Sequence, residues 1–60
     1  MPDVGDRVRF TYRNGRQVEG TLVKAFTRIF WMYVTIRDDS GKETTVCIND
    51  ADAKCLELVY

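Results

Sequence analysis

The sequence predicts an all-β domain in which five short strands form a strongly bent small barrel. Three observations lead to this fold. Apolar and polar residues alternate along most of the chain, clusters containing Gly separate the alternating segments, and the longest apolar run, residues 27–37, is rich in β-branched and aromatic residues. This run is predicted to be the central strand. We expect a single domain over residues 1–60, near the lower size limit for a chain that folds alone.

The first two strands are predicted to form a hairpin. Residues 7–12 alternate in polarity, and residues 17–26 return along them after Asn14 and Gly15. An Asn-Gly pair favours a type I′ turn, because that turn requires positive φ at two successive residues. Gly20 in the second strand indicates a bend or bulge of the kind that lets a short sheet curl over itself.

Side-chain period two divides the middle strands into faces. The core face of the central strand is predicted to comprise Phe30, Met32, Val34 and Ile36. Its opposite, amphipathic face is predicted to comprise Ile29, Trp31, Tyr33, Thr35 and Arg37. In the second strand the same rule groups Val18, Gly20, Leu22, Lys24 and Phe26. The connection between these two strands is predicted at Thr27 and Arg28.

The remainder of the chain is predicted to form a turn, two strands and one short helical turn. Residues 38–42 have the composition of a turn, with Gly41 free to adopt positive φ. Residues 43–48 alternate as a fourth strand. Residues 49–54 are too few for a stable α-helix and are predicted to form one 3₁₀ turn. Residues 55–60 then form the fifth strand.

The order of these elements resembles that of the SH3-like and Sm-like small barrels. The segments that carry the resemblance are V-G-D-R-V-R-F at the first strand, V-E-G-T-L-V in the second and N-D-A-D-A-K-C-L-E-L-V at the close. The resemblance implies an SH3-like barrel, a fold shared by proteins with many different functions.

The opening V-G-D-R-V-R and the length are also similar to the core of the plasmid-borne type II dihydrofolate reductases. In that family a Val-Gln-Ile-Tyr segment of the fourth strand lines the active pore. The matching segment of this chain is Val46-Cys47-Ile48-Asn49, in which the Gln and the Tyr are replaced. No reductase activity is therefore expected from this similarity.

The composition argues against an enzyme and against a bound cofactor or metal. The chain has no His, so it lacks an ordinary general base near neutral pH, and no glycine-rich loop opens a helix that could hold phosphates. Two cysteines without His are too few ligands for a tetrahedral zinc site within one copy. Cys47 and Cys55 are predicted to be small buried thiols, and a disulfide between them is the alternative.

Charge is unevenly distributed although the net charge is zero. Residues 1–37 hold seven Arg or Lys against three Asp or Glu, and residues 38–60 hold two against six, giving +4 and −4. Two interpretations remain open. In the first, the two halves form a basic face and an acidic face, which suits binding of nucleic acid or self-association. In the second, neighbouring strands exchange salt bridges across the sheet.

The functional prediction is a non-enzymatic module that binds single-stranded nucleic acid through a basic and aromatic face. The residues predicted to form it are Arg7, Arg9, Arg13, Arg16, Arg28, Trp31 and Tyr33. One alternative is a homo-oligomer whose aromatic face is its own interface. Another is a protein or peptide groove in which acidic residues such as Asp38, Asp39 and Glu43 select basic ligands.

The expected compartment is the cytoplasm, without contact with a membrane. No run approaches the roughly 18 apolar residues that a membrane helix requires. The opening M-P-D-V-G-D is acidic and lacks the apolar stretch of a signal peptide.

Overall fold

The computed structural model describes residues 2–59, and it is all-β. The strands are β1 (Arg7–Tyr12), β2 (Gln17–Arg28), β3 (Trp31–Arg37), β4 (Glu43–Cys47) and β5 (Ala53–Leu58). They form one antiparallel sheet in the order β4-β3-β2-β1-β5. The predicted five-stranded all-β fold is confirmed. Within residues 2–59 the sheet is not closed by hydrogen bonds, and β4 and β5 are its two edges.

The sheet is strongly bent, as predicted. The 12 residues of β2 would extend over about 40 Å if the strand were straight. The longest dimension of the chain is only 28 Å. β2 therefore curves, and the sheet folds over one apolar core, whose buried members are Val8, Phe10, Leu22, Val34, Ile36 and Val46.

The bend in β2 coincides with a close approach between strands and with a bulge. A Cβ atom at Gly20 would collide with the backbone of Arg37 and Asp38, so only Gly fits where the end of β3 lies against β2. The pairing of β2 with β3 then shifts between Leu22 and Lys24. Such a shift inserts a residue into one strand and reverses the faces beyond it.

The bulge overturns part of the predicted face assignment of β2. Leu22 lies in the core, opposite Ile36. Beyond the bulge, Phe26 pairs with Tyr33, which belongs to the amphipathic face of β3. Lys24 lies on this same face, since it is two residues from Phe26. The prediction that Lys24 and Phe26 share a face with Leu22 was therefore wrong.

The turn between β1 and β2 lies at the predicted residues but has a different conformation. The amide of Gly15 donates to the carbonyl of Tyr12 over 3.0 Å, and the amide of Tyr12 donates to the carbonyl of Arg16 over 2.8 Å. Gly15 has φ 91°, whereas Asn14 does not have positive φ. The loop is thus a three-residue turn that ends in a left-handed Gly, and the predicted type I′ turn was wrong.

The turn between β3 and β4 also contains a Gly with positive φ, and here the predicted turn is confirmed. The amide of Gly41 donates to the carbonyl of Asp38 over 3.0 Å, and Gly41 has φ 88°. Oδ1 of Asp38 accepts hydrogen bonds from both the amide and the hydroxyl of Ser40, and the hydroxyl bond lowers the pKa of Asp38 below its ordinary value. These bonds fix the turn.

The turn between β2 and β3 lies two residues later than predicted. β2 continues through Thr27 and Arg28, and Ile29 and Phe30 form the turn. Ile29 has φ 58°, a conformation that β-branched residues rarely adopt. Phe30 and Met32 were predicted to be core residues, but both are exposed. The prediction failed because the end of the β2–β3 hairpin extends beyond the buried core residues.

The connection between β4 and β5 contains simple turns. The amide of Ala53 donates to the carbonyl of Asp50 over 3.1 Å, a single bond between residues three apart, and no 3₁₀ helix occurs within residues 2–59. The predicted 3₁₀ turn before the last strand is therefore not shown. β5 begins at Ala53, two residues earlier than predicted, and Tyr60 lies outside the described residues.

Candidate functional site

Arg7 and Arg9, two of the predicted binding residues, lie side by side on β1 and are both ion-paired. Nη1 of Arg7 donates to Oδ1 of Asp39 over 2.9 Å, and its Nη2 donates to Oε2 of Glu19 over 3.3 Å. Nε of Arg9 donates to Oε1 of Glu19 over 2.9 Å, and Nη1 of Arg9 lies 3.6 Å from Oε1 of Glu57. The interpretation in which strands exchange salt bridges holds for these residues.

These ion pairs neutralise the basic side chains of β1. Hydrogen bonds from Arg9 and Arg7 hold the pKa of Glu19 below its ordinary value. The hydrogen bond from Arg7 does the same to the pKa of Asp39. The cluster contains two guanidinium groups and three carboxylates, so it offers phosphate groups no net attraction.

Arg13 and Arg16 lie in the exposed turn between β1 and β2. The guanidinium carbon of Arg16 is 5.6 Å from the centre of the Tyr12 ring, within the range of a cation–π contact. Tyr12 and Arg16 border a shallow pocket together with Asn14 and Asp52. The amide of Arg13 donates to the carbonyl of Asp52 over 2.8 Å, which attaches this turn to the connection between β4 and β5.

Three aromatic rings and two cations lie together on the amphipathic face of the β2–β3 hairpin, and we call this group the stacking ladder. Phe26 pairs with Tyr33 across the strands, and Arg28 pairs with Trp31. The rings of Phe26 and Tyr33 are stacked, with centroids 5.2 Å apart and planes 18° apart. Nζ of Lys24 is 5.1 Å from the Phe26 ring centre. The members of the ladder are Lys24, Phe26, Arg28, Trp31 and Tyr33.

The cations of the stacking ladder are not neutralised. Within residues 2–59 neither Lys24 nor Arg28 has a carboxylate partner at salt-bridge distance, and both residues are exposed. Trp31 is 46% exposed, which leaves ring surface open to solvent. Positive charge and aromatic faces are therefore available side by side.

The sequence prediction included Arg28, Trp31 and Tyr33 but missed Lys24 and Phe26. It missed them because period two, applied without the bulge, assigns both to the core face. One signal was present: Lys24 stands in an otherwise apolar row after Gly20 and Leu22, and a long cation in such a row indicates that the faces reverse.

The connection between β4 and β5 fixes the hairpin that carries the stacking ladder. Oδ1 of Asn49 accepts from the amide of Met32 over 2.9 Å, and Nδ2 of Asn49 donates to the carbonyl of Phe30 over 2.6 Å. The amide of Ile48 donates to the carbonyl of Met32 over 2.8 Å. This connection contacts both hairpin turns, because Asp52 bonds to the other one. Three residues lie between Ile48 and Asp52, so their Cα atoms are at most about 14 Å apart.

Neither cysteine forms a disulfide. Cys47 is half-buried, pairs with Tyr33 across the strands, and its thiol lies 3.2 Å from Oδ1 of Asn49. Cys55 is exposed on β5, so its prediction as a buried thiol was wrong. Within the described residues no three His, Cys, Asp or Glu side chains are grouped to hold a metal ion. The same residues contain no helix with the length and apolar character needed to cross a membrane.

Comparisons with protein-family models, with curated proteins and with solved structures find no match to this chain. The resemblance to the SH3-like and Sm-like barrels therefore stays a prediction. What can be said about function depends on the geometry of the site itself.

Proposed function

We propose that the protein binds single-stranded nucleic acid on the stacking ladder. The observation that carries this proposal is the pairing of aromatic rings with unneutralised cations across β2 and β3, where Trp31 is exposed and Phe26 and Tyr33 are half-buried. Bases stack on the rings of Trp31 and Tyr33, while Lys24 and Arg28 contact the phosphates. This combination is characteristic of surfaces that bind single strands with little sequence preference.

The spacing of the rings favours a single strand over a duplex. Trp31 and Tyr33 are successive residues on one face of β3, so their side chains project about 6.6 Å apart. This is about twice the 3.4 Å rise between stacked bases of one strand. Bases that contact both rings have to separate from each other, which an unpaired strand allows.

Arg13 and Arg16 extend the proposed surface, whereas Arg7 and Arg9 do not. The turn that carries Arg13 and Arg16 adjoins the same β4–β5 connection as the hairpin of the ladder. Within residues 2–59 neither guanidinium has a carboxylate partner at salt-bridge distance, so both form a separate contact for phosphates, divided from the ladder by Asp50 and Asp52 of the connection. Arg7 and Arg9 are excluded because their donors are directed at Glu19, Asp39 and Glu57.

The test is a binding titration with a short fluorescently labelled oligothymidylate, followed by anisotropy at several salt concentrations. Arg28→Glu should weaken binding at least tenfold and reduce the dependence of log K on log salt by about 0.7, the value for one phosphate contact. Trp31→Ala should weaken binding about 5- to 150-fold, the cost of one lost base stack.

Lys54→Glu is the matched control, because it reverses one exposed charge on β5, away from the ladder. It should leave affinity close to that of the wild type. Far-ultraviolet circular dichroism confirms that each variant is folded. If Arg28→Glu and Trp31→Ala bind as tightly as the wild type, the proposal is wrong.

The peptide-groove alternative has less support from the geometry. Asp39 is bound to Arg7, and Asp38 is bound within its own turn. Two of the three carboxylates expected to select a basic peptide are therefore already engaged.

A further inference from the structure

The turn between β2 and β3 exposes four large apolar side chains in succession. Ile29 and Phe30 are 86% and 81% exposed, and Trp31 and Met32 are 46% and 38% exposed. A contiguous apolar surface of this kind usually marks a contact with another molecule. We call residues 29–32 the apolar tip.

An apolar cavity of about 310 Å³ adjoins the apolar tip on the same hairpin. Its lining comes from β2, from β3 and from Ile48 in the connection after β4, and it consists of Ala25, Phe26, Thr27, Met32, Tyr33, Val34 and Ile48. Phe26 and Tyr33 also belong to the stacking ladder, so the cavity borders the ladder. A projecting aromatic side chain and an apolar recess thus lie next to each other on one surface.

The apolar tip is held in place rather than free to fold back. The side chain of Asn49 accepts from the amide of Met32 and donates to the carbonyl of Phe30, on the two sides of Trp31. A surface that is already ordered loses less conformational entropy on binding, so more of the free energy of burying its apolar area contributes to affinity.

Charges of opposite sign flank the apolar tip. Arg28 precedes it at the end of β2, and Asp50 follows Asn49, the residue that bonds to the tip. Within residues 2–59 neither Arg28 nor Asp50 takes part in a salt bridge. The cation and the anion are complementary if two copies of this surface meet with opposite orientation.

We infer that the apolar tip is the interface of a symmetric homodimer, in which Phe30 of each copy enters the cavity of the other. In a twofold contact each subunit presents the same patch. The projecting side chain of each copy can therefore fill the recess of the other copy. The same symmetry brings Arg28 of one copy towards Asp50 of its partner. This inference goes beyond nucleic-acid binding and does not require it, and the interface shares Trp31, Phe26 and Tyr33 with the stacking ladder.

The size of the interface sets a requirement. A standard interface covers about 800 Å² on each partner, about one fifth of the 4284 Å² that the chain exposes. The apolar tip therefore has to be joined by the β4–β5 connection in the contact. The acidic residues Asp50 and Asp52 of that connection favour a second copy, with its Arg28, over an anionic lipid surface.

The test is sedimentation equilibrium over a wide range of protein concentration. The wild type should approach twice its 7.0 kDa monomer mass. Phe30→Asp should raise the dissociation constant about 30-fold or more, as loss of an interface anchor does. Ala25→Trp, which fills the cavity from an exposed position, should have a similar effect.

Val4→Asp is the matched control, because Val4 is a 63% exposed apolar residue outside the tip. It should dimerise like the wild type, and circular dichroism establishes that all three variants are folded. Loss of the dimer in Phe30→Asp and Ala25→Trp but not in Val4→Asp supports the inference.

Two results would overturn it. One is a wild type that stays monomeric at millimolar concentration, or a dimer that both tip variants leave intact. The other is a monomer that binds vesicles of phosphatidylcholine and phosphatidylserine through Phe30, since the tip would then be a lipid contact.

Discussion

Ile29 adopts a backbone conformation that its side chain disfavours. Positive φ at the first residue of a two-residue hairpin turn is usually supplied by Gly, because a branched Cβ collides with the backbone there. The Ile29 side chain is almost fully exposed, so its contacts within the chain contribute little free energy to offset the backbone strain. The conformation is compatible with a role of Ile29 outside the monomer.

Replacing Ile29 by Gly should therefore stabilise the monomer. We expect Ile29→Gly to raise the free energy of unfolding by about 1 kcal/mol, since relief of strain exceeds the added freedom of the unfolded chain. Chemical denaturation at low protein concentration measures this value. Phe30→Gly is the control, because Phe30 lacks positive φ and should lose stability. Equal responses of the two variants would contradict the explanation.

At the scale of elements, the ion pairs of Arg7 and Arg9 join β1 to β2, to β5 and to the turn after β3. They link residues that are far apart in the sequence. Because each carboxylate is at least partly exposed, the pairs stabilise the fold modestly, and salt weakens them.

These pairs should make stability fall in acid. The lowered pKa values of Glu19 and Asp39 mean that the unfolded chain binds protons before the folded one does, so stability rises with pH. The contribution is complete above about pH 4.3, the ordinary range of these groups, and is lost as pH falls through the folded pKa values. Thermal melts between pH 2.5 and 7 should show a smaller decline in Glu19→Gln.

Glu43→Gln is the comparison for this measurement. Glu43 is an exposed carboxylate on β4 that forms no salt bridge with the residues described. Its removal should leave the decline close to that of the wild type. A Glu19→Gln profile that matches the wild-type profile would show that the ion pairs contribute nothing in solution.

Asn49 extends the contact between β4 and β3 beyond the paired residues to the turn at Phe30. Asn49→Ala removes its bonds to Phe30 and Met32 and should cost about 1–2 kcal/mol of stability. Hydrogen exchange of the Met32 amide should accelerate more than exchange in β1. Asn14→Ala, which removes one exposed turn bond, should leave Met32 protected. Unchanged exchange at Met32 in Asn49→Ala would mean that the link is dispensable.

Much of the fold follows from local patterns in the sequence. Alternation identifies Val8, Phe10, Val34 and Ile36 as core residues, and Gly15 and Gly41 mark two of the turns. These features are predictable because strand period and Gly conformation are properties of a few neighbouring residues.

The candidate site was less predictable, since it depends on pairing between strands. The bulge after Leu22 changes which face Lys24 and Phe26 occupy, and nothing in β2 alone fixes its position. The turn at Ile29 and Phe30 contains none of the usual turn residues. The partners of Arg7 and Arg9 lie on other elements, so a basic sequence segment did not become a basic surface.

At the scale of the whole molecule, the two proposals make a joint prediction. Trp31 belongs to both the apolar tip and the stacking ladder, and Phe26 and Tyr33 of the ladder line the cavity that Phe30 of the partner copy enters. The dimer therefore covers part of each ladder, so dimerisation and oligonucleotide binding compete for the same surface.

Phe30→Asp should remove this competition. At protein concentrations at which the wild type is dimeric, the variant should bind a short oligothymidylate more tightly than the wild type does, and at concentrations at which both are monomeric the two should bind equally. Anisotropy titrations at low and high protein concentration measure both values, with Val4→Asp as the control. If Phe30→Asp weakens binding at both concentrations, Phe30 belongs to the nucleic-acid site itself.

The strand order also bears on how the chain reaches this structure. Three of the four strand pairs join neighbours in the sequence, and only β1 with β5 joins distant segments. Local pairs lose little loop entropy when they form, so the β1–β4 meander is expected to assemble first and β5 to dock last. The contact between Arg9 and Glu57 belongs to that final step. Changes in β5 should therefore act mainly on the rate of unfolding, and so on how long the folded chain persists.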